Sequence, residues 1–303
     1  MTQPPAQGVP FKLRAKAWSH VGAADTARTG AGAGHYASLS SRAAASAEET
    51  EAEAAALHRD LPAHLAEHPA LRAAPGAEAL TRVTRALVRD APVGSFAPAS
   101  AVDARGVAAF ALLVYGTEAS GEESAFWAAR VALSALAPPE APPHQLQGLA
   151  VEARTLDNLL TVKAPRVAEK MRALGMHADA FLSEWLLSLF VRSLPSETCA
   201  RVWDALFCEG PKVLVRYALT LLKAAEPALL AAADAAAFAA ALRTACGRSH
   251  DRDDLATAAF DRLGSLPHAR LEQLRKAAAE ELAAERAEAS SRRGSHSGGN
   301  GRA

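Results

Sequence analysis

Four groups of residues have types and spacings that could carry chemistry. The first is the run Leu57-His58-Arg59-Asp60-Leu61-Pro62-Ala63-His64, with His68 one helical turn further on. A guanidinium beside a carboxylate could meet a phosphate or a partner's charges. Arg59 reads more simply as a solvated arginine on a helix, and His64 and His68 as surface histidines. The second group is Gly30, Gly32 and Gly34. A glycine loop that cradles phosphate needs a strand before it and a helix after it, and no β-branched run precedes these. The third is Asp251, Asp253 and Asp254, which could offer oxygens to calcium but lack the glycine and distal glutamate of an EF-hand loop. The fourth is Cys199, Cys208 and Cys246, too few and too scattered for a disulfide framework or a zinc site. No catalytic base adjoins Cys208, which reads as inert packing. No metal and no cofactor of the chain's own is expected.

The elements that would position these residues read as helices throughout. Residues 10–18 carry a short helical pattern, 26–41 read as a glycine- and serine-rich loop, and 43–61 as an alanine–glutamate helix. Leu80, Val83, Leu87 and Val88 share one helical face in 77–90. Residues 91–106 are small, prolyl and irregular. An apolar segment follows over 107–115, then a helix around 122–136, then prolines 138, 139, 142 and 143 as a connection. Leu156, Leu159 and Leu160 form the next patch. Phe181, Trp185, Leu186, Leu189 and Phe190 give one amphipathic helix with a heavy buried face. Further helices are expected from Ser196 through Trp203, around Leu214, Tyr217, Leu221 and Leu222, over 227–245, and over 254–288 with one solvated side. The tail from Ser290 reads as disordered. Trp18, Trp127, Trp185 and Trp203 are expected in the core, and Arg14, Arg201 and Asp204 in helix-to-helix pairing.

Composition agrees with an all-α chain. Of 303 residues, 76 are alanine, the strongest helix former, while aromatics make up only 5%. Lysine plus arginine and aspartate plus glutamate both number 33, so the formal net charge is zero. That balance offers no electrostatic footprint for nucleic acid and no polybasic attraction to an anionic membrane. Arg292 and Arg293 in the tail are only two charges. No stretch approaches the roughly 18 apolar residues of a membrane span, and the first residues have no signal-peptide core. With three unpaired cysteines, a cytoplasmic place is expected.

Several segments, in order, resemble the TBC domain, the family of Rab GTPase-activating proteins. They are GVPFKLRAKAW at 8–18, ESAFW at 123–127, FLSEWLLSLFVRSLP at 181–195 and ARVWDALFCEGPKVLVRYALTLLK at 200–223. Within the family the chain is most similar to the growth hormone-regulated TBC proteins. The resemblance implies a two-lobed all-α fold: a flexible 1–7, a Rab-GAP TBC domain over 8–230, a helical extension over 231–288 and a tail over 289–303. It implies a Rab-type small GTPase as partner, with GTP and Mg²⁺ belonging to that GTPase, and peripheral recruitment to endomembranes through partners.

The resemblance also implies two residues supplied in trans, an arginine in Ile-x-x-Asp-x-x-Arg and a glutamine in Tyr-x-Gln. The arginine would stabilise charge developing on the transferred phosphoryl group, and the glutamine would orient the attacking water. Both motifs are broken. Leu57 and Asp60 match, but the arginine position is Ala63. The glutamine motif falls in the 93–108 window, where one alignment puts Ser95 and Ala97 at the tyrosine and glutamine positions and another puts Ser100 and Val102 there. No glutamine occurs between Gln7 and Gln145. A misplaced splice junction would account for the family-unlike stretch 94–106 but not for Ala63. The expectation is a pseudo-GAP or scaffold that meets its partner through Arg59, Asp60, His64 and Ser95. The alternatives are a working activator using Arg59, one turn before Ala63, and a structural helical protein with no GTPase partner.

Overall fold

The computed structural model describes residues 8–22, 24–41, 71–90, 98–134 and 145–297. Among these there are fifteen α-helices and no strand. In chain order they are α1 (Phe11–Val21), α2 (Ala24–Ala31), α3 (His35–Ser40), α4 (Ala74–Asp90), α5 (Pro98–Tyr115), α6 (Ala119–Ser134), α7 (Gln145–Lys163) and α8 (Pro165–Ala173). Then come α9 (Asp179–Leu187), α10 (Ser196–Glu209), α11 (Lys212–Ala224), α12 (Glu226–Ala231), α13 (Ala235–Gly247), α14 (Arg252–Thr257), a π turn at Ala258–Arg262 and α15 (His268–Ser297).

The helices sort into two lobes. In the first, α4, α5 and α6 pack on one another, with α2 on α6 and α3 on α4. Helix α4 turns Leu80, Val83 and Leu87 inward, as their spacing requires, and buries Thr84 by letting its hydroxyl donate to Leu80 O at 2.7 Å. In the second lobe α10 and α11 are buried on nearly every side, from Thr198 to Phe207 and from Val213 to Leu222. A helix apolar all round must sit inside. Around this pair lie α7, α9, α12, α13 and α14, and α15 runs along α7.

Helix α1 joins the lobes, because it packs on both α5 and α10. Trp18 is 1% exposed, and its ring lies 6.3 Å from Phe110 and 6.4 Å from Tyr115 on one side and 5.5 Å from Trp203 and 5.3 Å from Phe207 on the other. Asp204 on α10 fastens the same helix. Its Oδ1 accepts from Trp18 Nε1 at 2.8 Å and lies 3.4 Å from Arg14 Nε, while its Oδ2 accepts from Val9 N at 3.1 Å. Arg14, itself 1% exposed, also donates to Glu197 at 2.9 Å. The chain passes very close here. A Cβ on Gly8 would stand 2.8 Å from Arg201 Cδ, and one on Gly22 only 2.4 Å from Phe207 Cδ1. The four tryptophans are core, and Arg14, Arg201 and Asp204 are buried between helices.

The structure departs from the expected elements in several places. The supposed loop at 26–41 contains α2 and α3, because alanine carries the helix and only Gly32 and Gly34 take positive φ, 88° and 81°, to turn between them. The irregular reading of 91–106 fails from Pro98 onward. Proline is well placed at a helix start, where its missing N–H has no partner to lose. Helix α9 stops at Leu187, and Leu189 and Phe190 reach the core through left-handed φ of 49° and 65°. That costs roughly 1–2 kcal/mol per residue, offset by two large side chains at 0% exposure and by Trp203 Nε1 donating to Leu189 O at 3.1 Å. The single helix expected over 227–245 breaks at Asp234, whose carboxylate caps α13 by accepting from Ala237 N at 2.8 Å. The helix expected over 254–288 breaks at Leu263–Pro267, which turns Leu263 and Leu266 into the core. The backbone read as a disordered tail continues α15 to Ser297, since each added residue gains a helical hydrogen bond. Cys208 is exposed rather than packed, while Cys199 and Cys246 are buried, and all three are free. Residues 1–7, the helix read over 43–61, the prolines at 138–143 and the last six residues lie outside the described residues.

Two measurements test this framework. Asp204→Ala leaves Arg14 buried without one of its two carboxylates and strips Trp18 and Val9 of their acceptor. Breaking a buried ionic site from one side costs about 3–5 kcal/mol, and a loss below about 1 kcal/mol in urea unfolding would contradict the central role given to this carboxylate. Thiol counting tests the burial. Burial pushes Cys199 far up and Cys246 up to about 12, while partial desolvation and the carboxylates of Asp204 and Glu209 raise Cys208. Near pH 8 a disulfide reagent should therefore modify one thiol in the native protein, more slowly than a free cysteine, and all three in denaturant. Two fast thiols in the native protein would contradict the arrangement.

Candidate functional site

The residues expected to meet a partner fall into two stretches of chain. Arg59, Asp60, Ala63 and His64 belong to the stretch between Ser41 and Leu71, and Ser95 and Ala97 to that between Asp90 and Pro98. All six lie outside the described residues. Of the second alignment, Ser100 and Val102 fall in the first turns of α5. What the structure does show is the corner of α3, α4 and α6 from which both stretches depart.

The end of α3 is held by arginines of α4. Arg89 Nη1 donates to Leu39 O at 2.9 Å and to Ser41 O at 2.5 Å, and Arg85 Nη1 donates to Ser40 O at 3.2 Å. The last carbonyls of a helix have no partners within it, and a cation there also suits the helix dipole. The start of α3 is held as firmly. His35 Nε2 lies 2.7 Å from Asp90 Oδ1, and Arg130 Nε donates to the other oxygen of Asp90. Trp127 lies between these partners, with His35 stacked at 5.5 Å and the Arg130 guanidinium 5.3 Å from its ring centre.

Beneath them sits Glu122, 5% exposed. It accepts two hydrogen bonds from Arg82, at 2.9 and 2.8 Å, and one from the Tyr36 hydroxyl. Burial, then this carboxylate, drives the Tyr36 phenol far above its usual range, and the Glu122 hydrogen bond raises Arg82. Tyr36 stays a neutral donor and Arg82 a fixed cation. Thus Ser41 and Asp90, residues at which the two stretches leave the described fold, share one corner, Ser41 held by Arg89 and Asp90 by His35 and Arg130.

The side chains of this corner hold backbone and one another in place, and no group of three or more His, Cys, Asp or Glu among the described residues could hold a metal ion. The aspartates at 251, 253 and 254 have structural partners: Asp251 caps α14 by accepting from Asp254 N at 2.8 Å, Asp253 lies 3.9 Å from Arg201, and Asp254 pairs with Arg262. Sequence reasoning missed the corner. The i, i+3, i+7 spacing of Arg82, Arg85 and Arg89 was a readable signal for an arginine-lined helix face, but nothing in sequence marked Glu122, Asp90 or His35 as their surroundings.

Comparison with known proteins places this architecture. The family model described as the Rab-GTPase-TBC domain matches residues 11–230. TBC1 domain family member 2A of Rattus norvegicus is 35% identical over 179 residues, which is 59% of this chain and 19% of that protein. Growth hormone-regulated TBC protein 1-A of Danio rerio is 40% identical over 102 residues, 34% of this chain and 28% of that one. Growth hormone-regulated TBC protein 1 of Homo sapiens is 37% identical over 113 residues, 37% of this chain and 33% of that one. These alignments span about a fifth of the first relative and about 30% of the other two. The crystal structure of the Chlamydomonas flagellar RabGAP TBC domain superposes with a TM-score of 0.69 at 31% identity, covering 86% of this chain and 83% of that one. Matched in sequence over most of its residues and in fold over nearly all of them, the chain belongs to the Rab-GTPase-TBC domain family.

Proposed function

We propose that this TBC domain binds a Rab-type small GTPase as a scaffold and supplies neither an arginine nor a glutamine to GTP hydrolysis. The observation that carries the reading is chemical: alanine stands at position 63, and no glutamine occurs between Gln7 and Gln145. A methyl group has no charge and no donor to offer a phosphoryl group. An arginine finger is worth about 10³–10⁵ in rate, or roughly 4–7 kcal/mol at about 1.4 kcal/mol per tenfold. Binding asks less, since it needs a surface held in shape. The corner supports that part, because Arg89 holds Ser41 at the start of one partner-facing stretch while His35 and Arg130 hold Asp90 at the start of the other. GTP and Mg²⁺ would come with the GTPase, and attachment to an endomembrane would come through partners. No helix among the described residues is long and apolar enough to cross a membrane.

The test is a panel of GTP-loaded Rabs, assayed for binding and for single-turnover hydrolysis with the purified chain. The expected result is binding to at least one Rab with no more than about tenfold stimulation. Stimulation above about 10³-fold would restore a finger, and Arg59→Ala would then show whether Arg59 supplies it. Binding to no Rab would remove the partner. On a Rab that binds, Arg89→Ala should weaken affinity by about tenfold, from the loss of charged hydrogen bonds worth about 1.5–3 kcal/mol each in stability. Unchanged affinity would separate the corner from binding.

A further inference from the structure

Helix α15 lies beyond the family match, which ends at residue 230, yet it runs along α7 for much of its 30 residues. Little of that seam is apolar. Of its described side chains only Leu271 and Ala278 are buried, with Leu274 partly so. The rest is ionic, open to solvent at Arg154, Glu281 and Glu285 and largely buried at Glu152 and Arg275. Arg154 on α7 reaches Glu281 at 3.1 Å and Glu285 at 3.0 and 3.2 Å. Arg275 on α15 lies 2.6 Å from Glu152 on α7 and 2.8 Å from Glu272 of its own helix.

The turn before α15 is held differently. Gly264 takes a φ of 80° there. Lys163 Nζ donates to Leu263 O and Ser265 O, both at 3.2 Å. Arg216, 8% exposed, donates through Nη1 to Ala259 O at 2.6 Å and Gly264 O at 3.2 Å, and its guanidinium lies 5.2 Å from the Phe260 ring centre. Two cations thus clamp four carbonyls within and just before the turn, Arg216 largely out of solvent and Lys163 partly so. Salt screens exposed charges strongly and buried ones weakly, with a Debye length of about 10 Å at 0.1 M and about 3 Å at 1 M.

We infer that the part of α15 beyond Ala278 is a clasp, which undocks from α7 when ionic strength rises while the rest of the described fold stays closed. Its base is held by the Arg216 and Lys163 clamp and by the largely buried Glu152–Arg275 pair, and its latch is the exposed ladder of Arg154, Glu281 and Glu285. A helix detached from its partner is marginal in water at this length, so undocking exposes these α15 amides to exchange and uncovers α7.

Hydrogen exchange on the full chain tests this without any GTPase. Between about 0.05 M and 0.5 M NaCl, peptides from 279–288 should exchange about tenfold faster while peptides from α10 and α11 do not change. Arg154→Glu, at a side chain 26% exposed and outside the core, should give the same acceleration at low salt. Adding Glu281→Arg and Glu285→Arg to that variant should restore protection. Salt-independent exchange in 279–288, a rise shared by α10 and α11, or no effect of Arg154→Glu would each overturn the clasp.

Discussion

The placement of both lobes depends on one buried carboxylate. Asp204 takes the indole N–H of Trp18, the backbone N–H of Val9 and the nearby charge of Arg14, all from the start of the chain, although it sits on a helix nearly two hundred residues later. A carboxylate 2% exposed is tolerable only when its lone pairs are filled. The requirement runs both ways: Asp204 needs α1 in place, and Arg14 needs Asp204 and Glu197. The aromatic cluster of Trp18, Phe110, Trp203 and Phe207 closes over this polar centre and adds apolar area that an alanine-rich chain otherwise lacks.

A second pattern recurs around that centre. Where a helix ends or a turn must hold, a cation is placed on backbone carbonyls. Arg89 and Arg85 do so at the end of α3, and Arg216 and Lys163 at the turn before α15. Alanine contributes helix propensity but no side-chain groups with which to finish a helix. Arginine, with five donors and a permanent charge, finishes several carbonyls at once. The consequences differ by burial. The buried carboxylate of Glu122 ties α6 to Arg82 of α4, whereas Arg154 ends on the exposed carboxylates of Glu281 and Glu285 and answers to salt.

Much of the architecture was legible because it repeats locally. The periodic leucines of α4 and α11, the tryptophans and the absence of strand signals follow from a 3.6-residue period that any window shows. The departures have two causes. Some are local: of Gly30, Gly32 and Gly34 only two leave helical φ, and Asp234 caps a new helix. Leu189 and Phe190 keep their helical spacing yet reach the core through a left-handed turn whose carbonyl is held by Trp203, and there a distant partner decided the conformation. At the candidate site the alanine at position 63 and the lack of a glutamine between Gln7 and Gln145 were legible, since both are facts of residue type. The corner of His35, Asp90, Glu122 and Arg130 was not, because its members come from three helices and no spacing links them.

By itself, then, the sequence determined a helical chain, its family pattern, an alanine at position 63 and a run from Gln7 to Gln145 with no glutamine between. These are properties of residue type and short-range order. The tertiary structure alone decided that Asp204 is the junction of the lobes, that Ser41 and Asp90 lie at one corner held by Arg89, His35 and Arg130, and that the far part of α15 is held to α7 by exposed charge. Those facts depend on which groups are deprived of water together, and burial is a property of the folded whole rather than of any segment.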